Sequence, residues 1–346
     1  MNKFALPFCL ALALGVSSAF AADENILPPA ANTKKLSPTG RVLVHTITVP
    51  LARNQPFVVA DAAKDPNFAF AAFQGHRYLE AVQAAEYRAE KLNDAKAMTL
   101  LGEIYGEGLG VKRDLKKSFD WYQRAVKAGD VSALFAVGMQ YMQGIGVKRD
   151  RDEGAKWLRR AADKGHAAAA YNLALLYLEG QVFRQDFAEA AKLMRVAAEK
   201  DIPDAQHAMA IFHQEGQGVK QDLSESVRWL RRAAQNDHIP ATVELAIAIF
   251  NGKGTDKDEQ LGAQTMRRAA LKGNPVAQNR LARMLLLGRG VEKNQIEAMA
   301  WHLLARSQNV SDPMLDDAFG DMKAEDKKKA EDILREWLRS RVASNT

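Results

Sequence analysis

Cysteine is all but missing. Cys9 is the only one in 346 residues, so the chain can form no internal disulfide and no cysteine-based metal site. Aromatic residues make up 8% of the chain. An alanine-heavy, aromatic-poor composition favours helices packed at close range. No apolar run after residue 21 approaches the roughly 20 residues that a membrane-spanning helix needs, so a soluble mature chain is expected. The histidines, His207 and His213 among them, include no His-Glu-x-x-His run or other metal-ligand spacing. No cofactor and no metal are expected.

What is present begins with an export signal. Lys3 gives a short positive start, Phe4 to Val16 an apolar run, and Ala19-Phe20-Ala21 a small-x-small cleavage site. Residues 1–21 are therefore expected to be removed, taking Cys9 with them. A lipid anchor on Cys9 would need small residues before it, where Leu6-Pro7-Phe8 stands instead. Export places the mature protein in the periplasm, with secretion as the alternative.

The rest of the chain repeats. Paired glycines stand at Gly108/Gly110, Gly144/Gly146, Gly216/Gly218, Gly252/Gly254 and Gly288/Gly290, with Gly180 in the remaining slot. The period is 36 residues, as from Gly108 to Gly144, and a fixed period in this range marks stacked supersecondary units. Six residues after the first glycine comes Asp114, Asp150, Asp186, Asp222, Asp258 or Asn294, short acceptors suited to cap a helix. That helix carries Trp121, Trp157, Leu193, Trp229, Thr265 or Trp301, then Ala125, Ala161, Ala197, Ala233, Ala269 or Ala305, on one face. Gly129, Gly165, Asp201, Asp237 and Gly273 close it, since the stop needs a residue tolerant of left-handed dihedrals. A second helix carries Ala133, Ala169, Ala205, Ala241 and Ala277, then Val137, Leu173, Met209, Leu245 and Leu281. Small residues let these backbones approach, and the tryptophans fill the wider gaps.

The pattern Ala133…Val137-Gly138…Tyr141…Gly144-x-Gly146-Val147-x-x-Asp150…Trp157…Ala161-Ala162…Gly165 resembles the Sel1-like repeat, a relative of the tetratricopeptide repeat. The resemblance covers roughly residues 95–306. It implies an all-α, right-handed α-solenoid of antiparallel helix pairs, six 36-residue repeats serving as an adaptor or scaffold. Three departures predict looser units: Val182 where a second loop glycine is due, His213 where Tyr105, Tyr141 and Tyr177 stand, and Thr265 in a tryptophan slot.

Residues 22–66, with Pro28, Pro29, Pro38, Pro50, Pro56 and Pro66, show no helical period and are expected to form an extended or disordered arm. Its apolar patches Val42-Leu43-Val44 and Phe57-Val58-Val59 are candidates for strand pairing with a partner. Residues 67–94 predict a degenerate leading helix pair, with Tyr78, Val82, Ala85 and Ala89 at helical spacing. Residues 307–346 predict C-terminal capping helices, the last with the apolar stripe Ala330, Ile333, Leu334, Trp337 and Leu338. Its charged back faces water, as the end of a solenoid requires.

Two surfaces are candidates for a partner. Opposite the seam of the second helix lie Phe135 and Met139, Tyr171 and Leu175, His207 and Ile211, Val243 and Ile247. In repeat proteins such a helix lines the concave face, so these residues are candidate anchors for a helix or an extended peptide. Asn172, Glu179, Glu215, Glu244, Arg280 and Arg283 interleave with them. The competing reading is burial of several of them against adjacent repeats. The other surface is the ladder Arg159-Arg160, Arg195, Arg231-Arg232 and Arg267-Arg268, in a chain of formal net charge +6. It is either a solvated face with local salt bridges or a contact for an anionic partner such as lipopolysaccharide, acidic lipid or an acidic protein. Nucleic acid is not expected for an exported chain.

Catalysis is not expected. A disulfide-rich branch of the family is associated with β-lactam binding, yet no Ser here is followed three residues later by Lys and there is no Lys-Thr-Gly. The Gly-x-Gly loops join helix to helix and lack a following Lys-Ser/Thr, so they are turns and not phosphate cradles. Asp316-Asp317 is expected in an exposed cap. The function expected is an interaction scaffold, monomeric on its own, that binds another protein of the cell envelope and restrains a signalling receptor. The alternatives are an enzyme or enzyme accessory acting on the cell wall, and a secreted host-interaction factor.

Overall fold

The computed structural model describes residues 62–344, with side chains as far as 339. The expected export signal, most of the arm and the arm's two apolar patches lie outside the described residues. Contacts divide the chain after Val182 into two units. The boundary falls in the loop where Val182 replaces the second glycine.

The first unit holds α1 (Phe68–Gln74), α2 (Tyr78–Lys91), α3 (Ala95–Glu107), α4 (Leu115–Lys127), α5 (Val131–Gln143), α6 (Arg151–Asp163) and α7 (Ala167–Glu179). The second holds α8 (Phe187–Glu199), α9 (Pro203–Glu215), α10 (Leu223–Gln235), α11 (Ile239–Asn251), α12 (Glu259–Leu271), α13 (Pro275–Leu287), α14 (Gln295–Arg306), α15 (Pro313–Gly320) and α16 (Ala324–Ser344). The fold is all-α, and within each unit consecutive helices pack as pairs.

Local chemistry sets the helix ends. Asp114, Asp150, Asp222 and Asp258 each accept a backbone N–H from the first turn of the helix they precede, as does Asn294. At the other end, Gly129, Gly165 and Gly273 take φ of 96°, 81° and 93°, and Asp201 and Asp237 take 60° and 57°. The loop glycines have a second reason to be glycine. A Cβ on Gly146 would stand 2.0 Å from the Leu115 carbonyl oxygen, so this loop lies on the first turn of α4, one repeat earlier.

Packing follows the small-residue seam. Ala125, Ala161, Ala197, Ala233, Ala269 and Ala305 are all 0% exposed, and Val137, Leu173, Met209 and Leu281 are equally buried. Trp121, Trp229 and Trp301 are buried, while Trp157 is half-buried. His213 keeps the contact that tyrosine makes at this position. It is buried, and its Nε2 accepts from Arg195 at 3.3 Å, much as the Tyr177 hydroxyl takes Arg159.

The ends require two corrections. The arm does not run unstructured to residue 66, because Ala62 to Lys64 are helical and Ala62 is buried. The cause is Arg88, a nearly buried cation that binds Asp94 and donates to the Ala62 carbonyl at 2.7 Å. A buried guanidinium needs such acceptors, and they hold the chain down. At the C-terminus α16 packs on α14, with the Trp301 and Trp337 ring centroids 4.4 Å apart. Of the apolar stripe, Ala330 is fully covered, Ile333, Leu334 and Trp337 are half-buried, and Leu338 is left out of the packing at 46% exposed.

Candidate functional site

The candidate anchors sit on the helices that open each repeat. In the first unit Phe135 and Met139 of α5 are buried, and so are not surface anchors. Phe135 stacks on His166 at a ring separation of 4.8 Å, so this position points at the start of the following helix and not at solvent. Tyr171 and Leu175 of α7 remain half-buried. Beside them Asn172 donates to the Ala168 carbonyl at 2.8 Å, and Glu179 pairs with Arg151.

In the second unit Val243 is buried in a core that includes Ala277 and Leu281 of α13. His207, Ile211 and Ile247 are half-buried. The corrected apolar anchors are therefore Tyr171 and Leu175 in one unit and Ile211 and Ile247 in the other. Polar groups around Ile211 and Ile247 form a network. His207 Nε2 lies 3.0 Å from Glu244 Oε1, and its ring lies 4.6 Å from that of His238. His238 Nε2 faces Asp204 Oδ1 at 3.4 Å. The bond from His238 holds the Asp204 carboxyl below its usual range despite burial. Further along, Arg280 is exposed and Arg283 is bound to Asp312.

His238 and Asp204 are not among the residues that spacing singles out as anchors. The signal was the period itself, since Asp94, Asp130, His166, His238 and Asn274 all fill the slot before an opening helix.

The arginine ladder is engaged within the protein. Arg159 reaches the Tyr177 hydroxyl, Arg195 reaches His213, Arg231 reaches Thr255 at 3.4 Å, and Arg267 reaches Glu297 at 2.5 Å. Arg160 and Arg232 lie over the rings of Trp157 and Trp229 at 4.3 and 4.7 Å. Arg232 and Arg268 also donate to the carbonyls of Ala198 and Ala234. These bonds favour a fastened face over a free anion-binding ridge.

Asp316 is another correction. It is not a merely solvated carboxylate: it takes Arg306 at 2.9 Å and fully buried His302 at 3.0 Å. Among the described residues no group of three or more His, Cys, Asp or Glu could hold a metal ion. Nor is any described helix long and apolar enough to cross a membrane.

The Sel1 repeat family model matches residues 95–130, 131–166, 167–202, 203–238, 239–274 and 275–310. One similar solved structure is c5321, a protective antigen present in uropathogenic Escherichia coli strains displaying an SLR fold. It is 28% identical, with a TM-score of 0.65 over 76% of this chain and 56% of that one. This chain thus spans little more than half of that relative. Another is a Sel1 repeat protein from Oxalobacter formigenes, 30% identical with a TM-score of 0.60, covering 70% of this chain and 100% of that one. No curated protein gives a significant match.

Proposed function

Because this chain belongs to the Sel1 repeat family, whose members are generally protein–protein interaction scaffolds and not enzymes, we propose that it is an exported scaffold that binds another protein of the cell envelope. Its place is the periplasm, where it restrains a signalling receptor or complex. The observation that carries this reading is the set of half-buried apolar side chains left on the opening helices. Tyr171 and Leu175 lie beside Asn172 and Glu179, and Ile211 and Ile247 beside His207 and Glu244. Apolar anchors ringed by polar groups are the usual anatomy of a docking surface.

The test is a crosslinking pull-down of the mature chain from envelope fractions. Leu175→Glu and Ile211→Glu are the variants, because Phe135→Glu would put a charge into the core. A specific envelope protein captured by the wild type and lost in a variant with an unchanged helical spectrum is the expected result. Capture that survives both variants sinks the docking surface, though not the fold.

A second reading is secretion to meet a host. The similarity to a protein described as a protective antigen supports it. Fractionation decides between the two: mature protein in the medium and absent from the periplasm favours the second.

A further inference from the structure

Asp94, Asp130 and Asn274 cap their helices through side-chain oxygens, which accept N–H bonds across the neutral and mildly acidic range. His166 and His238 fill the same slot but cap through a ring nitrogen. His166 Nδ1 accepts from the Ala169 N–H at 3.2 Å, and His238 Nδ1 accepts from the Ala241 N–H at 3.1 Å. An imidazole nitrogen accepts only while it carries no proton. Both rings are therefore neutral in this arrangement, with hydrogen on Nε2.

We propose that His166 and His238 are acid-released helix caps, whose protonation at Nδ1 loosens the first turns of α7 and α11. A protonated Nδ1 is a donor set against the unpaired N–H groups that begin the helix, and a cation at the positive end of the helix dipole. The cap is lost and the charge is repelled.

The surroundings of the two rings differ. His166 has the Phe135 ring stacked on it and its backbone N–H on the Ala161 carbonyl at the end of α6. The acid facing it is Asp130, the cap of α5, which also binds Thr99 and the Ser132 N–H. Burial pushes the His166 pKa down against the pull of Asp130. The folded protein thus holds this proton less tightly than the unfolded chain. The stabilisation is complete above the ordinary histidine value of 6.5 and falls away as pH drops below it. His238 is faced by Asp204 and His207 from α9, and Glu244 of its own helix holds His207. Asp237, just before it, pairs with Lys272. Asp204 faces Nε2, so the ring stays held on that side when the bond at Nδ1 is lost.

The test is hydrogen exchange of the full mature chain at pH 7.5 and 5.0, corrected for the intrinsic rate. Peptides spanning 167–172 and 239–244 are compared with the control segments 95–100 and 275–280. Protection should fall about fivefold or more at pH 5.0 in the two histidine-capped turns, the scale of one lost cap. The Asp94- and Asn274-capped controls should hold. His166→Asn with His238→Asn supplies a cap that does not titrate, as Asn274 does, and should abolish the fall. Unchanged protection at pH 5.0, or a fall that persists in the double variant, overturns the proposal. If that variant does not fold, nitrogen NMR of the wild-type rings decides. Rings that charge while both turns stay protected refute the idea, and charging that coincides with the loss supports it. No partner is needed, so this outcome is independent of the scaffold reading.

Discussion

Arg232 donates through Nη2 to the Ala198 carbonyl, 3.3 Å away, and so ties α10 to the last turn of α8, one repeat earlier. The same guanidinium covers the Trp229 ring and reaches Asp201 Oδ1 at 3.1 Å. Arg268 makes the equivalent tie from α12 to the Ala234 carbonyl at the end of α10, at 3.1 Å. The last carbonyls of a helix have no partner in the helix itself and carry its negative end. A phased arginine supplies a partner to two of them, at Ala198 and Ala234.

Arg232→Ala should therefore lower stability by about 0.5–1.5 kcal/mol, the net worth of such a bond at a partly exposed site. Arg232→Lys should recover only part of it, because an ammonium cannot stack on Trp229 and donate in two directions at once. Urea unfolding followed by circular dichroism checks both. An unchanged midpoint in the alanine variant would mean that the tie contributes nothing.

Gly218 and Gly165 both have positive φ, 68° and 81°, but only Gly218 is crowded. A Cβ there would lie 2.0 Å from the Phe187 carbonyl oxygen, whereas nothing lies within 4 Å of one on Gly165. Gly165→Ala is expected to cost about 1–2 kcal/mol, the left-handed strain alone. Gly218→Ala should cost clearly more, since backbone of the preceding repeat must move. Thermal unfolding of the two variants side by side tests this, and equal losses would refute the close-approach argument.

Caps, stops and the alanine seam were legible in the sequence because each is a local requirement restated every 36 residues. The faces beyond the seam were less so. Helical period places Phe135 and Val243 opposite one neighbour, but the stacking of the next repeat decides whether they are covered, and both are. Ala62 is held by Arg88 and Asp316 by His302, through contacts 26 and 14 residues apart in the chain. No periodic pattern announces either. The histidine caps were visible in the period but hidden by their residue type.

Asp312 joins the last repeat to the C-terminal helices. Its side chain is 2% exposed, caps α15 through the Leu315 N–H and binds Arg283 of α13. Burial works against its charge, but the bonds from Arg283 and Asn279 outweigh it and hold the carboxyl below its usual range. A carboxyl lowered in the folded state stabilises at neutral pH, and that contribution is lost as pH falls from the unfolded value through the folded one. Asp312→Asn keeps a cap and removes the charge. It should cost about 1–2 kcal/mol at pH 7, and the gap from wild type should narrow below pH 4. Unfolding midpoints at pH 7 and pH 3 measure both. A gap that is the same at both pH values would show that the carboxylate charge is not what matters.

Trp337 covers the open side of the final repeat, its ring 4.4 Å from that of nearly buried Trp301. In a stacked array each unit leans mainly on its neighbours, so removing an end contact should be felt near that end and fade along the chain. Trp337→Ala should cost about 2 kcal/mol, less than for a fully buried tryptophan because the ring is only half-buried. Hydrogen exchange should quicken in α14 and α13 while α9 keeps its protection, since subglobal opening then begins at the frayed end. Equal acceleration in α9 and α14 would show that the second unit opens as a single cooperative block, with Trp337 contributing to the whole of it and not to its last repeat.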